Sequence, residues 1–590
     1  MIREGLEKFR LYSIQKLTKK QVTYIISIVI GICVGIGAVV IKKAVHFTQW
    51  ILTASFSADF QPYLYFIYPI VGIFLAVLYM NYIIKKKVGH GIPAVLYAIS
   101  KQHGIIPKHN MFSSIFTASF TVGFGGSVGL EGPTVYTGAA IGSYFGQILK
   151  TNYRQLVLYL GFASAAAMAA IFKAPVAGIV FALEVIMLDL TVAALIPLLL
   201  ASVSAVLTSY VFMGQGAVYA IDKVDPFVFT QIGWFILLGI FTGLVSTYFT
   251  KAYIKIASIF SGMKSWGTRL LIGGTVLGGL IFLFPSLYGE GYESINTGLQ
   301  GETSSLFEKS LFFDFKDNIW VVIAVMIMVL ITKVIATSVT FGAGGIGGIF
   351  APSLFLGTYS GLLFSKVINH LGFANLSEKN FALVGMAGII SGNLHAPLTA
   401  IFLIAELTTG YELFVPLMVT SAVSYATTRF FVDNSVYTYQ LAKRGELITH
   451  DKDKAVMSLL SVNELIEKDF RTIGPEETLG DLIEIVSESQ RNVFPVVDEE
   501  NDFHGIITLN EIRHIMFKPE KYEEYKVSDL MFTPTTLVQP DESMDEVAKK
   551  FTESGYYNMP VVKNGKYWGF VSRATVFSSY RKLLKDFSDD

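Results

Sequence analysis

Between about residue 21 and residue 440 the chain is a succession of apolar segments separated by short polar or glycine-rich breaks. The first runs from Val22 to Val40 and is closed by Lys42 and Lys43; further long ones cover 64–84, 193–213, 231–255, 268–284 and 318–336. A helix of about 20 apolar residues crosses a bilayer, so these segments are predicted to be membrane helices. Two other stretches, 111–149 and 341–368, are interrupted by glycine and proline. Broken backbone at membrane depth is tolerated only when it is buried in protein or lines a wet cavity. The broken stretches are therefore the first candidates for a site.

The pattern also repeats. Pro133, Gly138 and Gly142 match Pro352, Gly357 and Gly361 at a constant offset of 219 residues. Ala174-Pro175 with Glu184 matches Ala396-Pro397 with Glu406. Two halves, about 22–225 and 227–435, carry similar elements in the same order, as in transporters whose ion site lies where paired broken helices meet. The repeats alone leave open whether the halves are parallel or inverted. Beyond about 441 the chain becomes charged and repeats again: Pro495-Val-Val matches Pro560-Val-Val, and Gly505-Ile-Ile-Thr matches Gly569-Phe-Val-Ser. Each copy reads as strand, amphipathic helix, strand, strand, helix.

Composition agrees with lipid as the main solvent: 52% of residues are apolar and 16% charged, against about 25% charged in a soluble domain. The net charge of zero gives no reason to expect a nucleic-acid partner. The single cysteine, Cys33, excludes a disulfide framework. Arg3, Lys8, Arg10, Lys16, Lys19 and Lys20 place residues 1–20 in the cytoplasm by the positive-inside rule, and Lys85–Lys87 on the same side.

Three glycine-rich loops precede apolar helices: Gly89-His90-Gly91-Ile92-Pro93, Gly129-Leu130-Glu131-Gly132-Pro133 and Gly347-Gly348-Ile349-Phe350-Ala351-Pro352. Proline suits the first turn of a helix, and a helix N-terminus presents unpaired N–H groups with a partial positive charge. Several such ends converging in the membrane would hold a dehydrated anion without a full positive charge, which leaves it free to exit. An ionisable residue in such a segment, Glu131, is a functional candidate by default.

These motifs resemble the CLC family of chloride channels and proton/chloride exchangers over about 21–440. GLEGP stands where that family has G-(K/R)-E-G-P, GGIFAP at its G-x-F-x-P element, and GHGIP at its G-S-G-I-P element. Tyr437, in SVYTYQL, matches the family tyrosine whose hydroxyl faces the central anion. The resemblance implies that Glu131 is the gate, that the N–H groups of Ile349 and Phe350 line the central site, and that Tyr437 donates to it. His90, Gly91, Ile92, Gly129, Leu130, Gly132 and Ala351 complete the expected anion-binding set. Two positions depart from the pattern. His90 replaces the usual serine, which opens the anion preference to alternatives such as nitrate. Val185 replaces the internal glutamate of exchangers and leaves Glu184 as either a proton path or a helix-joining carboxylate.

The tail resembles a pair of CBS domains, which often bind adenine nucleotides. Thr508, Glu511, Ser572 and Thr575 stand at the nucleotide positions, and only one of the two acidic groups is kept. A nucleotide site and a dimerisation platform both stay open.

The expected fold is an all-α polytopic membrane domain with two repeated halves and broken helices, followed by a small α/β CBS pair. The expected boundaries are 1–20 for a cytoplasmic segment, 21–440 for the membrane domain, 441–458 for a linker, and 459–517 and 525–590 for the CBS copies. The expected function is passive, gated flow of chloride or another small anion through the plasma (inner) membrane by a homodimer with cytoplasmic CBS domains; proton-coupled exchange is the alternative. No enzymatic activity, required cofactor or metal is expected. None of the nine histidines begins the His-Glu-x-x-His motif of a zinc protease, and the loops offer donors where a magnesium pathway needs oxygen ligands.

Overall fold

The computed structural model describes residues 18–54, 61–85, 88–89, 91–186, 192–216, 219, 221, 224–307, 310, 313–315, 317–408, 410–444, 457 and 460–588. His90, Lys86 and Lys87, nearly all of the 1–20 segment and most of the 441–458 linker lie outside the described residues. The chain divides into two compact units, Met1–Leu447 and Ile448–Asp590.

The first half of the first unit comprises α1 (Lys19–Ala54), α2 (Gln61–Leu78), α3 (Gly91–Lys101), α4 (Asn110–Gly123), α5 (Glu131–Leu149), α6 (Tyr153–Phe172), α7 (Pro175–Phe181) and α8 (Val192–Met213). The second comprises α9 (Ile232–Ser261), α10 (Trp266–Leu283), α11 (Tyr292–Leu299), α12 (Ile319–Gly342), α13 (Phe350–His370), α14 (Glu378–Leu394), α15 (Pro397–Leu407) and α16 (Phe414–Phe431), with α17 (Tyr439–Lys443) after it. Seven helices of the described residues are long and apolar enough to cross a membrane. α1 continues beyond Val40 through Lys42 and Lys43 to Ala54. Nothing in KKAVHFTQWILTA breaks a helix: it has neither glycine nor proline.

The broken stretches become pairs of helices. Residues 111–149 form most of α4 and all of α5 around the loop 124–130, and 341–368 hold the loop that leads into α13. α5, α6, α13 and α14 are buried along most of their length, whereas α8 and α10 turn Val211 and Leu271 outward, as lipid-facing helices do. The repeated glycines explain the inner packing. A Cβ on Gly142 would strike the Tyr159 carbonyl of α6, and one on Gly361 the Phe381 carbonyl of α14. These small-xxx-small pairs let helix backbones touch where lipid supplies no hydrophobic drive between helices. Each half then closes its α6-type helix on a left-handed residue, Lys173 (φ 57°) or His395 (φ 55°), just before Ala-Pro opens the next.

The second unit holds two similar copies. In the first, Thr478 caps α18 (Leu479–Glu488) in a capping box, followed by β1 (Val493–Val497) antiparallel to β2 (Phe503–Thr508). In the second, Ser543 caps α19 (Met544–Ser554), followed by β3 (Asn558–Lys563), β4 (Lys566–Ser572) and α20 (Arg573–Ser588). The leading strand of each copy is reduced to one parallel bridge, Ile473 with Val496 and Val538 with Val561. Pro475 and Pro540 follow within two residues, and proline has no N–H to extend a ladder. Leu479, Leu482, Phe494 and Ile507 fill one core and Val547, Phe551, Met559 and Val571 the other, while Phe470, Ile506 and Phe570 join the copies.

Candidate functional site

The two glycine loops at repeat-equivalent positions meet each other. Gly129 N–H donates to the Gly348 carbonyl at 2.8 Å, and Gly348 N–H to the Gly129 carbonyl at 2.7 Å. These residues are 219 apart, so each pairs with its own counterpart. A second reciprocal pair flanks the first: Ser127 N–H donates to Thr340 Oγ1 at 3.3 Å, and Ile346 N–H to Thr121 Oγ1 at 3.1 Å. Antiparallel pairing of equivalents means that a local two-fold axis relates the loops. It brings the N-termini of α5 and α13 to one place. Any side chain on Gly132 or Gly348 would collide with the other loop. Gly91, at φ 60°, opens α3 against Gly132: its Cβ position lies 3.1 Å from the Gly132 Cα. Three helix N-termini therefore converge, and Gly91, Ile92, Gly129, Leu130, Gly132, Ile349, Phe350 and Ala351 are all buried there.

Glu131 lies fully buried in the first turn of α5. Its Oε1 accepts the Tyr292 hydroxyl at 3.0 Å. Its Oε2 has no hydrogen-bond partner among the described residues. That oxygen lies over Gly129, where a Cβ would meet both it and the Ala351 methyl group. One oxygen of the Glu131 carboxylate is thus unpaired among the described residues where three helix N-termini meet.

Tyr437 is buried, its hydroxyl has no hydrogen-bond partner among the described residues, and it lies within electrostatic range of Glu131. A short chain of contacts connects it to α13. The Val436 N–H donates to the Asn393 carbonyl at 3.2 Å, the Asn393 amide donates to Ser353 Oγ at 2.9 Å, and Ser353 Oγ donates to the Ile349 carbonyl at 2.9 Å. Phe350, beside Ile349, packs its ring 5.2 Å from that of Phe172.

Four further residues, which sequence reasoning missed as site residues, lie near Glu131 or the loop that leads to it. Tyr292 comes from α11, Lys42 from α1, Glu290 from the turn before α11, and Lys333 from α12. Glu290 Oε1 accepts the Leu130 N–H at 3.2 Å. Lys333 is fully buried and donates to Ser127 Oγ at 2.8 Å, with its ammonium 4.8 Å from the Phe355 ring centre. Lys333 carried a signal, since it is a lysine inside the apolar run 318–336. Glu290, in a short polar turn, and Tyr292, at the start of α11, carried none.

The comparisons with known proteins agree with this geometry. Residues 71–429 match the family described as voltage gated chloride channel. The chain belongs to that CLC family. The tail matches the CBS domain over 462–518 and 527–582. A putative chloride channel protein, ClcB-like, from Ralstonia nicotianae is 29% identical over 64% of this chain and 85% of its own length. The H(+)/Cl(-) exchange transporter ClcA of Vibrio cholerae is 28% identical over 67% of this chain and 84% of its own. Among solved structures, a slow cyanobacterial Cl-/H+ antiporter shares the fold at TM-score 0.61 and 23% identity, covering 73% of this chain and 99% of its own. A eukaryotic CLC transporter does so at TM-score 0.59 and 17% identity, covering 94% of this chain and 98% of its own.

In this CLC chain Glu184 and Glu406 form a reciprocal clasp. Glu184 accepts the Leu398 N–H at 3.1 Å, and the Thr399 N–H and hydroxyl at 2.8 and 2.7 Å. Glu406 accepts the N–H groups of Val176 and Ala177 at 3.0 and 2.7 Å. Each carboxylate thus caps the opening helix of the opposite half, α15 or α7, where the dipole favours negative charge.

In the CBS pair the four candidate nucleotide residues already have partners. Glu511 closes a capping box with Thr508 at 3.2 Å. Ser572 and Thr575 both donate to Glu467 Oε1 at 2.5 Å, and Arg491 pairs with the other Glu467 oxygen at 2.8 Å. Burial pushes the Glu467 carboxyl up, but the hydroxyls and the guanidinium outweigh it and hold it below the usual range. These bonds are therefore intact at neutral pH and are lost only as pH falls through that depressed value.

The clasp generates a prediction. Glu406→Ala leaves two helix N–H groups without their acceptor, and Glu184→Ala leaves three donors. Each change should cost about 2–3 kcal/mol and lower the thermal unfolding midpoint in detergent. A Glu184→Ala protein as stable as wild type would contradict the clasp.

Proposed function

We propose that the chain carries chloride passively, with Glu131 as the gate and Tyr437, Ile349 and Phe350 as donors of the central site. The observation that carries this reading is the free Oε2 of Glu131 at the meeting of three helix N-termini. An anion can replace that carboxylate without any donor having to be built. His90, in the inner loop, is proposed to tune the anion preference.

Passive flow rather than exchange is favoured by what surrounds the inner proton station. A proton crossing an apolar stretch needs titratable side chains or ordered water. Val185 offers neither, and Glu184 is engaged by three donors of α15. The second reading, coupled exchange, is favoured by the relatives named H(+)/Cl(-) exchange transporters. We further propose a homodimer in the plasma (inner) membrane, with the N-terminus and the CBS pair in the cytoplasm. The CBS pair is read as a packing platform, because Glu467 already occupies the hydroxyls of Ser572 and Thr575.

Proteoliposomes with an imposed chloride gradient test the central point. Chloride should flow without uphill proton movement, and Glu131→Gln should remove most of the external pH dependence of that flow. Proton pumping at a fixed ratio to chloride would establish exchange instead, and its loss in Glu184→Gln would make Glu184 the relay. For the platform reading, calorimetry with ATP, ADP and AMP should give no heat of binding; saturable heat with any of them would overturn it.

A further inference from the structure

Four ionisable side chains gather at the first turn of α5 and the loop before it: Lys42, Glu131, Glu290 and Lys333. They reach it from α1, α5, the turn before α11, and α12. Lys42 acts electrostatically on both carboxylates, and Lys333 acts on Glu290. The hydroxyls of Tyr292 and Tyr219 complete the surroundings: Tyr292 binds Glu131, and the rings of Tyr219 and Tyr292 lie 5.3 Å apart. Two of the charges are fixed in the frame. Lys333 is fully buried and tied to Ser127. Glu290 stands between Gly289 (φ 61°) and Gly291 (φ 80°), and its carboxylate is hydrogen-bonded to the Leu130 N–H. Glu131 has one oxygen that is buried and without a hydrogen-bond partner among the described residues.

With all four side chains ionised, their charges sum to zero. If Glu131 leaves or is protonated, the remainder is one positive charge, which a single monovalent anion neutralises. Without Glu290 the remainder would be two, and an anion held by two lysines, one of them fully buried, would be slow to leave. At the position where the family has Lys or Arg this chain has Leu130; here the positive charge arrives from α12 and α1 and is offset by the carboxylate on the Leu130 amide. We propose that Glu290 is a resident counter-charge that sets the outer anion site at one net positive charge when Glu131 vacates it. Glu290 thereby determines how tightly the anion is held. This rests on the reading of Glu131 as the carboxylate that vacates the site.

The test is chloride flux into proteoliposomes as a function of chloride concentration, for wild type, Glu290→Gln, Lys333→Met and the double variant. Glu290→Gln should lower the half-saturating concentration on the order of ten-fold and reduce the maximal flux, since release becomes slow. Lys333→Met should raise the half-saturating concentration by a similar factor. The double variant, with the charge sum restored, should return to within about three-fold of wild type. An unchanged half-saturating concentration in folded Glu290→Gln overturns the proposal. If Glu290→Gln fails to fold, Lys333→Met decides: a half-saturating concentration raised about ten-fold supports the charge balance, and an unchanged value overturns it. A wild-type protein that carries no chloride would instead overturn the transport reading on which this rests.

Discussion

A bare ion in a low-dielectric medium is worse off than in water by tens of kcal/mol on a Born estimate. The membrane unit is arranged around that constraint. Its answer is a two-residue antiparallel pairing, Gly129 with Gly348, which brings the amide ends of α5 and α13 together. Helix ends supply partial charges, so an anion can be stabilised there without being trapped.

Much of the remaining structure follows from holding that pairing in place. The loops can touch only because Gly132 and Gly348 lack side chains. The helices behind them can pack backbone to backbone only because Gly142 and Gly361 do. The Thr121 and Thr340 hydroxyls lock the loops from either side, and Glu184 and Glu406 lock the halves further along. Each of these devices occurs twice, once in each half. Two similar sequences that fold against each other satisfy each other's open helix ends.

The paired loops and the packing glycines were legible in the sequence because the same spacing recurs at an offset of 219. Glu184 and Glu406 recur at an offset of 222, which in the sequence alone leaves both a joining role and a proton path open. The surroundings of Glu131 were not legible. Tyr292, Glu290, Lys333 and Lys42 come from three separate elements and a turn, and only the fold brings them together. Hydropathy also misplaced the end of α1, since a helix through Lys42 and Lys43 keeps its backbone bonds whatever its side chains. In the tail, strand composition identified β1 to β4 but overestimated the leading strands, which stop where proline removes the donor.

The central claim is that backbone amides at the paired helix ends, with Tyr437, hold the anion. It is tested most directly by anomalous diffraction from crystals of the protein grown in bromide. The account predicts ordered bromide beside the N–H groups of Ile349 and Phe350 and the Tyr437 hydroxyl, and a further bromide at the first turn of α5 in Glu131→Gln. Bromide bound only at lysine side chains, with none at these amides in either protein, would contradict it.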